Sequence, residues 1–276
     1  MLHATCLFPF VAPSMVCLND TPLRWPAAAS VGKVSGHMEQ SPDVNSKPSE
    51  HESPLWGFDR DELAYVVPIF CFLLFVWVGS TWKQLYPWAY VARTAVAAAL
   101  LIALRKRYTP IRWDYWWLGV IMGVLGIVQW IGMDSFLQRA LPSLFTLKPA
   151  DAFRPYEYFS NASVMWGWIG VRMLGASVVV PFMEELFWRD YLWRRIIAPA
   201  DFKLASVGEW EPKAFFIVAI AFCIVHPQWL TAIGWGLMVG GLLAYTRSLG
   251  ACIIMHGVTN LLLGLYVLNT HEWAWW

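Results

Sequence analysis

Three short spacings in this chain group side chains that can activate water. Glu184 and Glu185 stand side by side in Pro181-Phe-Met-Glu-Glu-Leu-Phe-Trp-Arg189, at the end of a long apolar run. Carboxylates next to hydrocarbon cost roughly 2.5–3.5 kcal/mol each near a helix centre and less near its end, so they persist there when paired, hydrated or engaged in chemistry. Phe222 and His226 are four residues apart, as are His256 and Asn260, and both pairs lie in apolar segments. A carboxylate held away from bulk water is a stronger base than usual and can take a proton from water near neutral pH. A neutral imidazole can share that water, while a second His and an Asn amide can donate to a developing oxyanion. Alternatively, Glu184, His226 and His256 could hold a divalent metal such as zinc that lowers the pKa of the water. With or without such a cofactor, the chemistry is hydrolysis of an amide bond.

Helical geometry separates the two glutamates. Glu185 and Arg189 meet at i,i+4 on one face, whereas Glu184 points about 100° away and is left to act. Trp188, four residues after Glu184, could wall the site from lipid. The plainer alternative is that both glutamates meet the membrane interface and its arginines. Other hydrolytic signatures are missing. No HExxH occurs, no two Asp lie within two apolar segments, and Ser177 in Gly175-Ala-Ser-Val lacks the second glycine of a nucleophile turn. His3, His37, His51 and His271 fall in polar or terminal positions and carry no comparable case.

The elements that must position these groups are membrane helices. The chain is 58% hydrophobic and 14% charged, against ~25% charged for a soluble domain. Apolar windows long enough to cross ~30 Å of hydrocarbon recur after residue 58. They predict an all-α polytopic bundle with spans near 63–80, 86–104, 114–133, 163–183, 213–228, 229–246 and 250–268, so about seven and at most eight. Many of the nineteen Trp flank these windows, as in an interfacial belt. The five cysteines show no metal-type or disulfide pattern; the net charge of +1 says nothing about nucleic acid, and no basic stripe exists to bind one. The expected partners are the lipid bilayer and a protein or peptide substrate.

Three regions follow. Residues 1–58 form a polar tail expected to be disordered, with Met38 as an alternative start. Residues 59–160 supply accessory spans and a long loop, 134–160, in which 136–141 can form an amphipathic interfacial segment. Residues 161–276 carry the chemistry. Arg105, Lys106, Arg107, Arg112, Arg189, Arg194, Arg195, Lys203, Lys213 and Arg247 fall on one side of this layout, which predicts a cytoplasmic N-terminus and a substrate arriving from the cytoplasm. One strain is visible. His226 would lie ~20 Å deep and His256 about half that, while Glu184 ends its helix. Convergence would need helix five to start in the cytoplasm, or a thinned bilayer. Arg93 and Arg172 also sit in apolar windows. They are expected to snorkel to the outer interface, the sharper reading being a substrate carboxylate, or a pairing with Asp134 or Glu157.

At Glu184-Glu185-Leu-Phe-Trp-Arg189, Phe222-Cys-Ile-Val-His226 and His256-Gly-Val-Thr-Asn260, the chain resembles the CAAX-protease and bacteriocin-processing (Abi, CPBP) family of intramembrane endopeptidases. Each motif alone is weak; in this order, in apolar segments, they are strong. The resemblance implies Glu184 as base, His226 activating the water, His256 and Asn260 at the oxyanion, and Glu185, Arg189 and Phe222 as structural support. It also implies a membrane-associated or exported protein substrate and a bacterial plasma-membrane location. The Trp-rich helices and long loop resemble the subgroup found beside exosortases. Two rivals use the same residues differently: a non-proteolytic immunity or binding protein on this fold, and a small proton-coupled transporter. The latter would more often show inverted repeats, which are missing.

Overall fold

Local signals start and stop each helix. Asp59 and Glu62 form a reciprocal capping box, with Asp59 Oδ1 accepting from the Glu62 amide at 2.6 Å and Glu62 accepting from the Asp59 amide at 3.1 Å. They open α1, Arg60–Thr81. Pro87 stands in the first turn of α2, Tyr86–Leu104, where its missing N–H costs nothing. Then come α3, Trp116–Ala140, and α4, Ala162–Ile197, a 36-residue helix whose first turn is capped by Asn161. Glu211 caps α5, Pro212–Cys223. Next is α6, Trp229–Thr246, closed by Arg247 at φ 51°, and Ser248 then caps α7, Leu249–Thr270. This computed structural model describes residues 59–143 and 152–276. The tail 1–58 with the Met38 alternative, and the middle of the 134–160 loop, lie outside the described residues.

The protein is an all-helical integral membrane protein, with no strand among the described residues. Six helices are long and apolar enough to cross a membrane, α1 to α4, α6 and α7. The expected seventh span, 213–228, is corrected. At 12 residues, α5 rises only ~18 Å. Pro227 explains its end: the ring cannot follow a regular helix without striking the carbonyl four residues back, that of Cys223. The chain instead tightens, His226 N donating to Cys223 O at 3.1 Å and Ile224 N to Ala221 O at 3.2 Å. An antiparallel hairpin results, with Gly236 and Gly240 of α6 packed on Ala219 and Phe215 of α5.

Two further boundaries move outward. Segment 136–141 is not a separate interfacial helix, because α3 runs to Ala140, with Asp134 accepting from Gln138 Nε2 and from Thr231 Oγ1. More consequential, α4 continues past the expected end at 183 to Ile197. Its charges are paired and so do not end the helix: Glu185 with Arg189, Asp190 with Arg194, and Arg195 with Glu62 of α1 at 3.0 Å. Glu184 therefore lies about 13 residues from the end of its helix, ~20 Å, the depth expected for His226. The strain seen in the sequence is removed by the length of α4.

One end of the bundle is knotted by polar bonds. Asp61 pairs with Arg107 at 3.1 Å and with Lys203. Arg194 donates to Thr109 and Ala205 O, both at 2.8 Å, and Tyr65 OH donates to Asp190 at 3.0 Å. Ser248 Oγ donates to Arg112 O and Asp114 O. This is the end that carries the basic loops. Between the ends, small residues bring helices close. A Cβ at Gly123 of α3 would lie 2.6 Å from Val258 Cβ, and one at Gly257 would lie 2.7 Å from the Ser177 carbonyl oxygen of α4. Glycine is required at both positions to seat α7 between α3 and α4, which sets the places of His256 and Asn260.

Candidate active site

α4 does not run as a regular α-helix past the chemistry. It widens into π-helical turns at Gly175–Val179 and Leu186–Leu192, on either side of Val180–Glu185. Such widenings re-aim side chains and concentrate at functional sites. From the second widened stretch, Arg189 reaches back to Glu185, Nε to Oε2 at 3.2 Å and Nη1 to Oε1 at 3.3 Å, with both residues fully buried. The guanidinium lies over Phe222 at 4.7 Å and Trp235 at 5.6 Å, faces that stabilise a desolvated cation.

Glu185 has a second partner. His256 Nδ1 stands 2.7 Å from Glu185 Oε1, so Glu185 joins Arg189 to His256 and fixes the ring, which packs edge-on to Trp235 at 4.7 Å. Since a carboxylate can only accept, Nδ1 is the donor and Nε2 is the nitrogen left for a substrate. His226 is held by a similar logic. Its Nδ1 lies 2.9 Å from the Phe222 carbonyl oxygen, another acceptor, so the neutral ring keeps a lone pair on Nε2. The ring lies tilted against Phe222 at 4.3 Å and meets Trp130 edge-on at 5.7 Å. Asn260 Nδ2 donates to the Ala176 carbonyl at 2.8 Å, leaving its second N–H available.

Glu184 differs from its neighbour. It is buried, and its Oε2 has no hydrogen-bond partner. With His226, His256 and Asn260 it lines one cavity of about 470 Å³, walled by Phe222, Trp130 and Trp235. The four residues singled out by spacing thus share a single space. Trp188 takes no part in that wall; it packs on Phe222 at 5.9 Å within the core. Among the described residues, no three His, Cys, Asp or Glu side chains stand grouped as a metal site. Glu184, His226 and His256 share the cavity without converging as ligands.

The mouth of the cavity lies at the end opposite the basic loops. Tyr86, Pro227, Gln228 and Trp276 line both this cavity and a wider vestibule of about 780 Å³ that includes Gly79, Lys83 and Trp273. The tip of the α5–α6 hairpin and the segment after α7 form its rim. The expected approach from the basic end is therefore corrected.

Residues 166–262 match the family of Rce1-like type II CAAX prenyl endopeptidases. The match runs from α4 into α7 and contains all three motifs, so it supports a CAAX-protease-like intramembrane endopeptidase. It reaches the family and not the exosortase-associated subgroup. Neither the curated proteins nor the solved structures give a match.

Sequence reasoning missed the bond from Glu185 to His256 and the Trp130 and Trp235 walls. No spacing connects these residues, which lie on four different helices. It also misplaced Arg93 and Arg172, which line the cavity rather than the lipid interface. Neither is paired with Asp134, which is bonded to Gln138 and Thr231, or with Glu157, which pairs with Arg154 at 3.0 Å.

Proposed function

We propose that the chain is an endopeptidase that hydrolyses a peptide bond inside the membrane, with Glu184 as the base. The observation that carries this reading is a buried carboxylate oxygen without a partner, in the same cavity as a histidine whose free nitrogen is a lone pair. A water between them gives one proton to Glu184 and directs the other to His226 Nε2, and its oxygen attacks the substrate carbonyl carbon. The oxyanion is met by the second N–H of Asn260 and by His256. Because His256 Nδ1 already donates to Glu185, its Nε2 donates to the oxyanion when the ring carries both protons. Collapse breaks the C–N bond, and the proton held by Glu184 passes to the leaving amine. Glu185, Arg189 and Phe222 are positioning residues, holding the two histidines.

The direct test is purified full-length protein in liposomes with N-terminally lipidated peptide pools, read by mass spectrometry. Cleavage is expected, with His226→Ala lowering it by about 10²–10⁴-fold while the melting temperature in detergent stays near wild type. Wild-type turnover in His226→Ala would remove that residue from the mechanism.

We also propose a bacterial plasma-membrane location with the N-terminus cytoplasmic, because the described basic loops cluster at one end. The vestibule then faces outward, and the substrate is an exported or membrane-anchored protein reached from outside. In a background without native cysteines, Thr81→Cys should react with an impermeant thiol reagent on intact cells, and Lys106→Cys only after lysis. The reverse pattern would place the vestibule in the cytoplasm.

A further inference from the structure

Two cations share the cavity with the proposed proteolytic groups, and no carboxylate among the described residues pairs with either. Arg172 is 5% exposed. Its guanidinium lies over Trp276 at 4.6 Å, Tyr90 at 4.9 Å and Trp168 at 5.4 Å, its Nη1 donates to Tyr86 OH, and its Nε has no partner. Arg93 lies over Tyr90 at 3.9 Å and Phe72 at 4.8 Å, and its Nε is likewise without a partner. Two like charges thus stack on one ring, Tyr90, in a poorly hydrated place. Aromatic faces offset part of that cost, but they cover only the flat sides of a guanidinium. The N–H edges remain, and those edges match a carboxylate through two parallel bonds.

We propose that Arg93 and Arg172 form an anion subsite that holds a carboxylate of the peptide substrate, a reading that rests on the cavity being the proteolytic site. The spacing sets where it acts. Arg172 precedes Glu184 by 12 residues on α4, ~18 Å along the axis. Arg93 sits nearer, since its neighbour Thr94 packs on Gly175, about nine residues or ~13 Å from Glu184. An extended peptide covers ~3.3 Å per residue. The bound carboxylate therefore lies about four or five residues from the scissile bond. A lipid phosphate in the subsite would fill the space that the peptide needs, which favours the peptide as its source.

Binding separates this proposal from proteolysis itself. Full-length Glu184→Gln protein in detergent is offered three N-palmitoylated, randomised decapeptide pools. One is acid-free with an amidated C-terminus, one is acid-free with a free C-terminus, and one is amidated with a single Asp or Glu. One or both carboxylate-bearing pools should bind about ten- to hundredfold more tightly than the first, and which of them does so identifies the carboxylate. Adding Arg172→Gln or Arg93→Gln should remove that preference and leave binding of the uncharged pool unchanged. Equal binding of all pools, a preference that survives in both variants, or a loss common to every pool would overturn the proposal. So would an arginine-dependent site taken by dihexanoyl phosphatidate and by neither acidic pool. Carboxylate preference without any cleavage by the wild-type protein would keep the subsite and defeat the proteolytic reading.

Discussion

Glu184→Gln should give a protein that inserts and folds normally but cleaves lipidated peptides in liposomes about 10²–10⁴-fold more slowly. The substitution keeps the side-chain volume, and the amide removes the charge that takes a proton from water. The fold should tolerate it because Glu184 Oε2 holds no partner whose loss would weaken packing. Burying a neutral amide there is also cheaper than burying a carboxylate, so the melting temperature should stay level or rise. The combination is the diagnostic result: loss of turnover without loss of stability. A variant that loses both in proportion would assign Glu184 to structure.

Glu185 and Arg189 should show the opposite pattern. Both are fully buried, and the guanidinium lies against the faces of Phe222 and Trp235. Removing either partner strands a charge, at a cost of roughly 3–5 kcal/mol. Arg189→Met and Glu185→Gln should each lower yield and melting temperature, and the double variant should lose much less than the two losses combined. The bond from His256 adds a second signature. Glu185→Gln should also slow turnover in whatever protein remains folded, because a neutral amide holds His256 Nδ1 less firmly than the carboxylate does and no longer fixes the ring. Additive stability losses across the cycle would show that the two residues do not act as a pair.

The helices and the local pairs of the site were legible because both depend on local spacing. Apolar windows mark the spans, and i,i+4 pairs on α4 and α7 place Glu185 with Arg189, and His256 with Asn260, on common faces. The course of α4 was not legible. Arg189, Asp190, Arg194 and Arg195 look like the end of a helix in sequence, yet α4 continues past them because Glu185, Glu62, Tyr65 and Thr109 pair with them, and two of those four belong to α1. The link from Glu185 to His256 spans 71 positions, so no local pattern contains it. The direction of the mouth was hidden for a related reason. It depends on Pro227 turning α5 into a hairpin whose tip, at Gln228, lines the vestibule together with Tyr86 and Trp276.

The central claim is that Glu184 makes this protein a protease. It is tested most directly by comparing the termini of membrane and exported proteins in cells that carry the wild-type chain or Glu184→Gln at equal abundance. Terminal-peptide mass spectrometry should find cleavage products, with their truncated partners, in wild-type cells and uncleaved precursors in the variant. Identical termini in the two strains, under conditions where the protein is present and folded, would contradict the account.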